Sequence, residues 1–182
     1  MPDLARAQLA MAHVFDVASY ILERQGPVTI LKLQKLVYYV QAWAVVKGEP
    51  LFNDAIKAWA QGPVVPALWH EHKGRRQIAA EDMAARGPGL TDEQRAHIDS
   101  VLAYYGNLPP LYLSKLTHFE RPWRDARDRG QQSGHASPVI PIEAIRAFYS
   151  GRTPEELEAD YQMTVARRVM KQHEECLARL AR

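Results

Sequence analysis

Seven histidines raise a metal site as the first chemistry to test. His70 and His72 stand two apart, and on a helix that spacing turns them about 200° from one another, so they cannot share an ion. His118 and Glu120 face the same obstacle on a helix, though not on an extended loop. His173 and Cys176 fall on one helical face, but no further ligands accompany them. The expectation is no metal and no cofactor. For nucleophilic chemistry, Ser114-Lys115 and Ser133 with His135 are available, without a G-x-S-x-G elbow or an S-x-x-K pair. Gly87-Pro88-Gly89 is not followed by Lys-Ser/Thr, as a phosphate loop requires. Glu81-Asp82, Asp92-Glu93 and Glu155-Glu156 fit helix starts, where carboxylates meet the positive end of the dipole, better than acid–base pairs. The chain is therefore expected not to be an enzyme, and no catalytic residue is assigned. A concealed His118–Glu120 hydrolytic site is the remaining catalytic reading.

Binding chemistry is better represented. Trp43, Trp59, Trp69 and Trp123, with Tyr38 and Tyr39, are many large rings for a helical domain of this size. Core packing explains such rings as well as exposure does. Where exposed, Trp, Tyr and Arg dominate the energetics of protein interfaces. Arg121, Arg124, Arg127 and Arg129 are interrupted by Asp125 and Asp128, which reads as a solvated face with local ion pairs. The helices flanking Gly26-Pro27 loosely resemble a helix-turn-helix, in which Lys32 and Lys35 would meet phosphates. A recognition helix, however, presents polar residues to a groove, and this one is apolar and aromatic over much of its circumference. A DNA-binding regulator is kept as the alternative function.

These residues need elements to hold them. Ala5 to Arg24 carries a helical pattern through Leu9, Ala12, Val14, Val17, Ala18, Ile21 and Leu22, stopped by Gln25-Gly26-Pro27. Thr29 caps a second helix, with Leu33, Leu36, Val37, Val40, Trp43 and Ala44 at helical spacing, ending at Gly48. Ala55 to Trp59 reads as a short strand and Gly62-Pro63 as a turn. A helix holding Val64, Val65, Leu68 and Trp69 then ends near Gly74. Arg75 to Leu90 reads as loop. Thr91 and Gln94 form a capping box ahead of a stripe of Ile98, Val101, Leu102 and Tyr105 that Gly106 closes. Leu111–Thr117 and Pro122–Arg127 read as short helices, Gly130–Pro138 as an exposed loop, and Pro141–Tyr149 as another helix. Thr153 and Glu156 cap a final helix running to the carboxyl terminus.

With 182 residues, 47% of them hydrophobic, the chain can bury a core without metal or disulfide staples. A net charge of +2 predicts neither nucleic-acid nor membrane binding. The single cysteine excludes an intramolecular disulfide. No long apolar run opens or crosses the sequence, so the expected location is the cytoplasm. The expected fold is mainly α: a compact multi-helix single domain over residues 1–150 with one small β-hairpin, and a C-terminal helical extension over 151–182.

Four blocks in order carry a family resemblance. They are Lys32-Leu33-Gln34-Lys35-Leu36-Val37-Tyr38-Tyr39 with Trp43; Gly48-x-Pro50-Leu51-Phe52; Trp59-x-x-Gly62-Pro63-Val64-Val65-Pro66; and Leu116-Thr117-His118-x-Glu120-x-Pro122-Trp123. Together they resemble the Panacea-domain family, which includes SocA-type antitoxins and phage-associated GepA proteins. The resemblance implies a mainly helical antitoxin that neutralises a cognate toxin protein by direct contact. For the SocA type it further implies a proteolytic adaptor that delivers the toxin to the ClpXP protease. It also implies neither an enzyme nor a specific DNA binder. Carried over from the matched blocks, the expected partner-binding surface comprises Lys35, Tyr38, Trp59, Gly62, Pro63, Val64, His118, Glu120 and Trp123. An adaptor needs a second contact, and the helix after Gly151 is the segment expected to supply it.

Overall fold

Ile30–Lys47 forms an 18-residue helix, α2, around which the other elements of the first unit assemble. The computed structural model describes residues 11–84 and 86–180. The preceding helix, α1, spans Val14–Gln25 with His13 as its N-cap. It therefore starts later than the apolar pattern predicts, since Ala12 precedes it; the part of that pattern at Ala5 and Leu9 lies outside the described residues. A two-residue strand, β1 (Val28–Thr29), joins α1 to α2. Thr29 caps α2 as its sequence predicts, its hydroxyl accepting the Lys32 N–H at 3.2 Å.

Every residue from Leu33 to Ala42 of α2 is buried. The helix, apolar over much of its circumference in the sequence, is thus enclosed, packed by α1, α4 (Asp92–Tyr105), α5 (Pro110–Phe119) and α7 (Ile142–Tyr149). A helix with apolar residues around most of its circumference has no solvent face to keep. Its polar residues survive because each is hydrogen-bonded. Gln41 donates to Phe52 O at 2.7 Å and accepts the N–H groups of Leu51 and Phe52 at 2.8 and 3.3 Å. At the far end, Arg146 of α7 donates to Val45 O at 2.7 Å and Gly48 O at 3.1 Å, a cation on the carbonyl end of α2.

The hairpin expected near Trp59 is present: β2 (Lys57–Trp59) pairs antiparallel with β3 (Gly62–Val64) in the register Lys57↔Val64, Ala58↔Pro63, Trp59↔Gly62. The turn falls at Ala60-Gln61, so Gly62-Pro63 is strand rather than turn, and Val64 is strand rather than helix. The following helix, α3 (Pro66–Glu71), starts with Pro66 and ends before Gly74. The expected loop after Arg75 contains β4 (Gln77–Ile78), which pairs with β1, and a 3-10 turn at Ala80–Asp82. Asp16 ties the next stretch down by accepting the N–H groups of Arg86, Gly87 and Gly89 at 2.9–3.2 Å.

The capping box of Thr91 and Gln94 opens α4, which buries Ile98, Val101, Leu102 and Tyr105 as its pattern predicts. After α5, helix α6 spans Arg121–Ser133, six residues beyond the expected end at Arg127. Gly130 lies inside it, where a Cβ would stand 2.6 Å from His135 O and 2.7 Å from Pro138 Cγ. A glycine that reads as a loop marker is a close-approach residue.

The chain divides between Ser150 and Gly151 into two compact units. The second consists of one helix, α8 (Pro154–Leu180), opened by Thr153 and Glu156 as expected. Among the described residues, no helix is long and apolar enough to cross a membrane.

Candidate functional site

The β2–β3 hairpin is held by side chains of three helices rather than by a wider sheet. From α2, Gln34 accepts the Val65 N–H at 2.8 Å and donates to Val65 O at 3.4 Å, while Lys35 Nζ donates to Pro63 O at 3.0 Å. Ser114 of α5 donates to Gln61 O at 2.9 Å. Trp123 Nε1 of α6 donates to Trp59 O at 2.9 Å, and Arg127 donates to Ala58 O at 3.3 Å and Ala136 O at 3.0 Å. On the other side of β2, Ala58 N–H reaches Pro138 O at 2.8 Å and Ile140 N–H reaches Ile56 O at 2.8 Å. A hairpin this short is marginal alone. These bonds satisfy groups a wider sheet would otherwise pair.

Gly62 is required at the centre of that clamp. Its φ is +109°, and a Cβ would come within 2.7 Å of Lys35 Cε and 2.8 Å of Thr117 Oγ1. Pro63 follows on the edge strand, where a missing N–H costs no ladder bond.

Beneath the hairpin lies a polar interior. Glu120 is 3% exposed and accepts from Tyr39 Oη at 2.9 Å and Tyr149 Oη at 2.5 Å; Tyr149 Oη also lies 3.3 Å from Tyr38 Oη. Burial pushes the Glu120 pKa up from 4.5 to about 8, against the lowering effect of the Tyr149 and Tyr39 hydroxyls. Burial brings Lys35 down from 10.5 to about 7. Burial first, then the neighbouring charges of Lys35 and Arg127, lowers the His118 pKa and favours its neutral ring.

Outside this interior sits an aromatic face. Trp59 and Trp69 meet edge to face at 5.0 Å. His118 stacks on Trp123 at 4.1 Å with 23° between the planes. A groove of about 360 Å³ is lined by Ala60, His118, Trp123, Arg124, Arg127 and Asp128, with Gln131 at its rim. Trp59 Nε1 and His118 Nε2 are buried without a hydrogen-bond partner in the chain. Apolar rings, ring nitrogens and two guanidinium groups are thus gathered on one face, the residue types that dominate protein interfaces.

The residues assigned from the sequence thus converge but occupy two layers. Trp59, His118 and Trp123 are half-buried at the aromatic face. Lys35, Tyr38, Gly62, Pro63, Val64 and Glu120 are buried beneath or within the hairpin, so they hold the face rather than form it. Their motif spacing marks proximity to the hairpin without saying which layer each joins. His118 and Glu120 do not pair: both Glu120 oxygens accept from tyrosines, and the His118 ring packs on Trp123. The enclosed α2 likewise has no open face to lay in a DNA groove. Sequence reasoning passes over Gln34, Ser114 and Thr117 as site residues, and reads Arg127 as one of a solvated cluster. Arg121 does pair with Asp125 at 3.6 Å, whereas Arg127 turns inward. Its position three residues after Arg124 carries no local signal of that difference.

A family model described as "Antitoxin SocA-like, Panacea domain" matches residues 33–124. That span runs from Leu33, the first buried residue of α2, through the hairpin, to the residue after Trp123. Neither a curated protein nor a solved structure gives a significant match to the chain. The match covers half of the chain, which belongs to the Panacea-domain family of SocA-like antitoxins.

Proposed function

We propose that this protein neutralises a cognate toxin protein by direct contact, using the face built from Trp59, Trp69, His118 and Trp123 with the adjoining groove. The supporting observation is convergence: Gln34 and Lys35, the Trp59–Pro66 segment, and the Leu116–Trp123 segment meet at one hairpin. The rings offer large contact area at low entropic cost, and Arg124 and Arg127 suit acidic groups on the partner. We further propose that binding delivers the toxin to ClpXP in the cytoplasm. That finer reading rests on the SocA-like family membership.

The test is co-expression of the adjacent gene's product with this protein in cells that have or lack ClpXP, following growth and the half-life of that product. Growth rescue with faster, ClpXP-dependent loss supports an adaptor antitoxin. Rescue with an unchanged half-life supports neutralisation by masking and removes the adaptor step. No rescue ends the antitoxin reading and turns attention to promoter binding. Ala60→Arg localises the contact: Ala60 is exposed at the hairpin turn, so the variant should fold normally and lose toxin binding. Binding that survives Ala60→Arg would move the interface elsewhere.

A further inference from the structure

Helix α6 lines the groove beside the hairpin with one stripe of side chains, Arg124, Arg127, Asp128 and Gln131, spaced as neighbours on a helix surface. The volume, about 360 Å³, is near the lower end of the roughly 300–1,000 Å³ typical of sites that enclose a small ligand. Space of that size takes a few side chains of a partner. The groove continues the aromatic face, because Trp123 both lines it and donates to Trp59 O, and Ala60 follows Trp59 in the hairpin.

The charges in the groove are not neutralised within the chain. Arg121 pairs with Asp125 at 3.6 Å, but among the described residues Arg124, Arg127 and Asp128 form no ion pair. The Arg124 guanidinium lies over the Phe119 ring at 6.0 Å and makes no hydrogen bond to the described residues. Arg124 adds nothing to α6 itself, since it stands near the amino end, where the helix dipole favours carboxylates over bases. Arg127 is anchored. Its Nη1 donates to Ala58 O at 3.3 Å and Ala136 O at 3.0 Å, so neutral carbonyls hold a half-buried cation and leave Nε and Nη2 to donate. A guanidinium is a rigid fork that can give a carboxylate two bonds, and one already immobilised loses little entropy on binding.

Asp128 limits the occupant. Two arginines against one aspartate leave one positive charge in excess, with His118 offering a neutral ring. That balance suits one carboxylate. A nucleic-acid strand brings a row of phosphates, which calls for a row of bases, and Asp128 repels them.

We propose that the groove receives a single side-chain carboxylate from a loop of the toxin, held by Arg124 and Arg127, with Asp128 selecting against polyanions. This rests on the reading of the aromatic face as the toxin contact.

The test is calorimetric titration of the full chain with the adjacent gene's product, using variants at two exposed side chains. Arg124→Glu should weaken binding by about tenfold or more, and Asp128→Asn should strengthen it by about threefold. A gain of affinity does not arise from misfolding. Reversal of one Asp or Glu of the toxin to Lys should restore binding to Arg124→Glu. If both variants bind as wild type does while Ala60→Arg loses binding, the face stands and carboxylate recognition is overturned. If Ala60→Arg binds as well, the face itself is not the interface and both readings fall. Weaker binding by Asp128→Asn means that the toxin presents a base there and also overturns the proposal. Dimerisation of the toxin-free chain that Arg124→Glu abolishes gives the groove to a second copy, and competition by a single-stranded thymidine oligonucleotide gives it to phosphates; either overturns the proposal.

Discussion

Glu120 and Lys35 are titratable groups inside the fold whose shifts run in opposite directions. The folded-state pKa of Glu120, about 8, lies above its unfolded 4.5. The folded chain therefore retains a proton that the unfolded chain has released. Its contribution to stability is full below pH 4.5 and is lost as pH rises through 8. The folded-state pKa of Lys35, about 7, lies below its unfolded 10.5. Its contribution is full above pH 10.5 and is lost as pH falls through 7. Glu120→Gln should remove the first slope and raise stability at pH 8 by on the order of 3 kcal/mol relative to wild type. The check is the difference in urea-derived stability between wild type and variant from acid to mildly alkaline pH. A pH-independent difference would show that Glu120 titrates alike in the folded and unfolded chains. Trp123→Phe keeps a ring against His118 but drops the bond to Trp59 O. It should cost about 1 kcal/mol, read from the same denaturation curves.

At the scale of the element, the hairpin depends on its clamps. Gly62→Ala adds a Cβ against Lys35 and Thr117 at a φ of +109°. It should destabilise by about 2 kcal/mol or more, and Thr117→Ala should not rescue it, because the backbone strain and the Lys35 contact remain. Gln34→Met preserves the volume within α2 but leaves the Val65 N–H without its partner, while the Val65 carbonyl keeps the Trp69 N–H at 3.1 Å. It should cost about 2 kcal/mol, and hydrogen exchange at Val65 should quicken more than exchange in α4. Equal quickening in both would mean the hairpin opens only with the whole unit.

For the whole molecule, the division at Ser150 predicts separable behaviour. A chain ending at Ser150 should melt cooperatively within a few degrees of the full chain, because the central helix and its surrounding elements lie before that point. It should still bind the toxin, since the aromatic face lies wholly in the first unit. Thermal denaturation and a pull-down with the toxin check both. Lost cooperativity would show that α8 is needed to complete the fold; lost binding by a folded truncation would place part of the toxin contact in α8.

The features legible in the sequence are those decided within a few residues. Thr29, Thr91 and Thr153 reach N–H groups three positions on, so their types and spacing suffice to mark helix starts. The stripe of α4 and the short strand before Gly62-Pro63 are likewise local periodicities. The matched blocks determine family membership because their order and spacing survive as text. What the tertiary structure alone decides is which of those residues meet. Strand β4 exists because Val28 and Thr29 lie beside it, and its own two residues hold too little pattern to announce it. Gly130 reads as a breaker, yet it lies within α6, where the approach of His135 and Pro138 leaves no room for a Cβ. Lys35 and Glu120 carry charge types that belong at a surface, and only the enclosure of α2 by its neighbours, with Pro63 O and two tyrosine hydroxyls supplied from distant segments, permits their burial. Desolvation and partner hydrogen bonds depend on the whole surroundings of an atom, which no window of sequence contains.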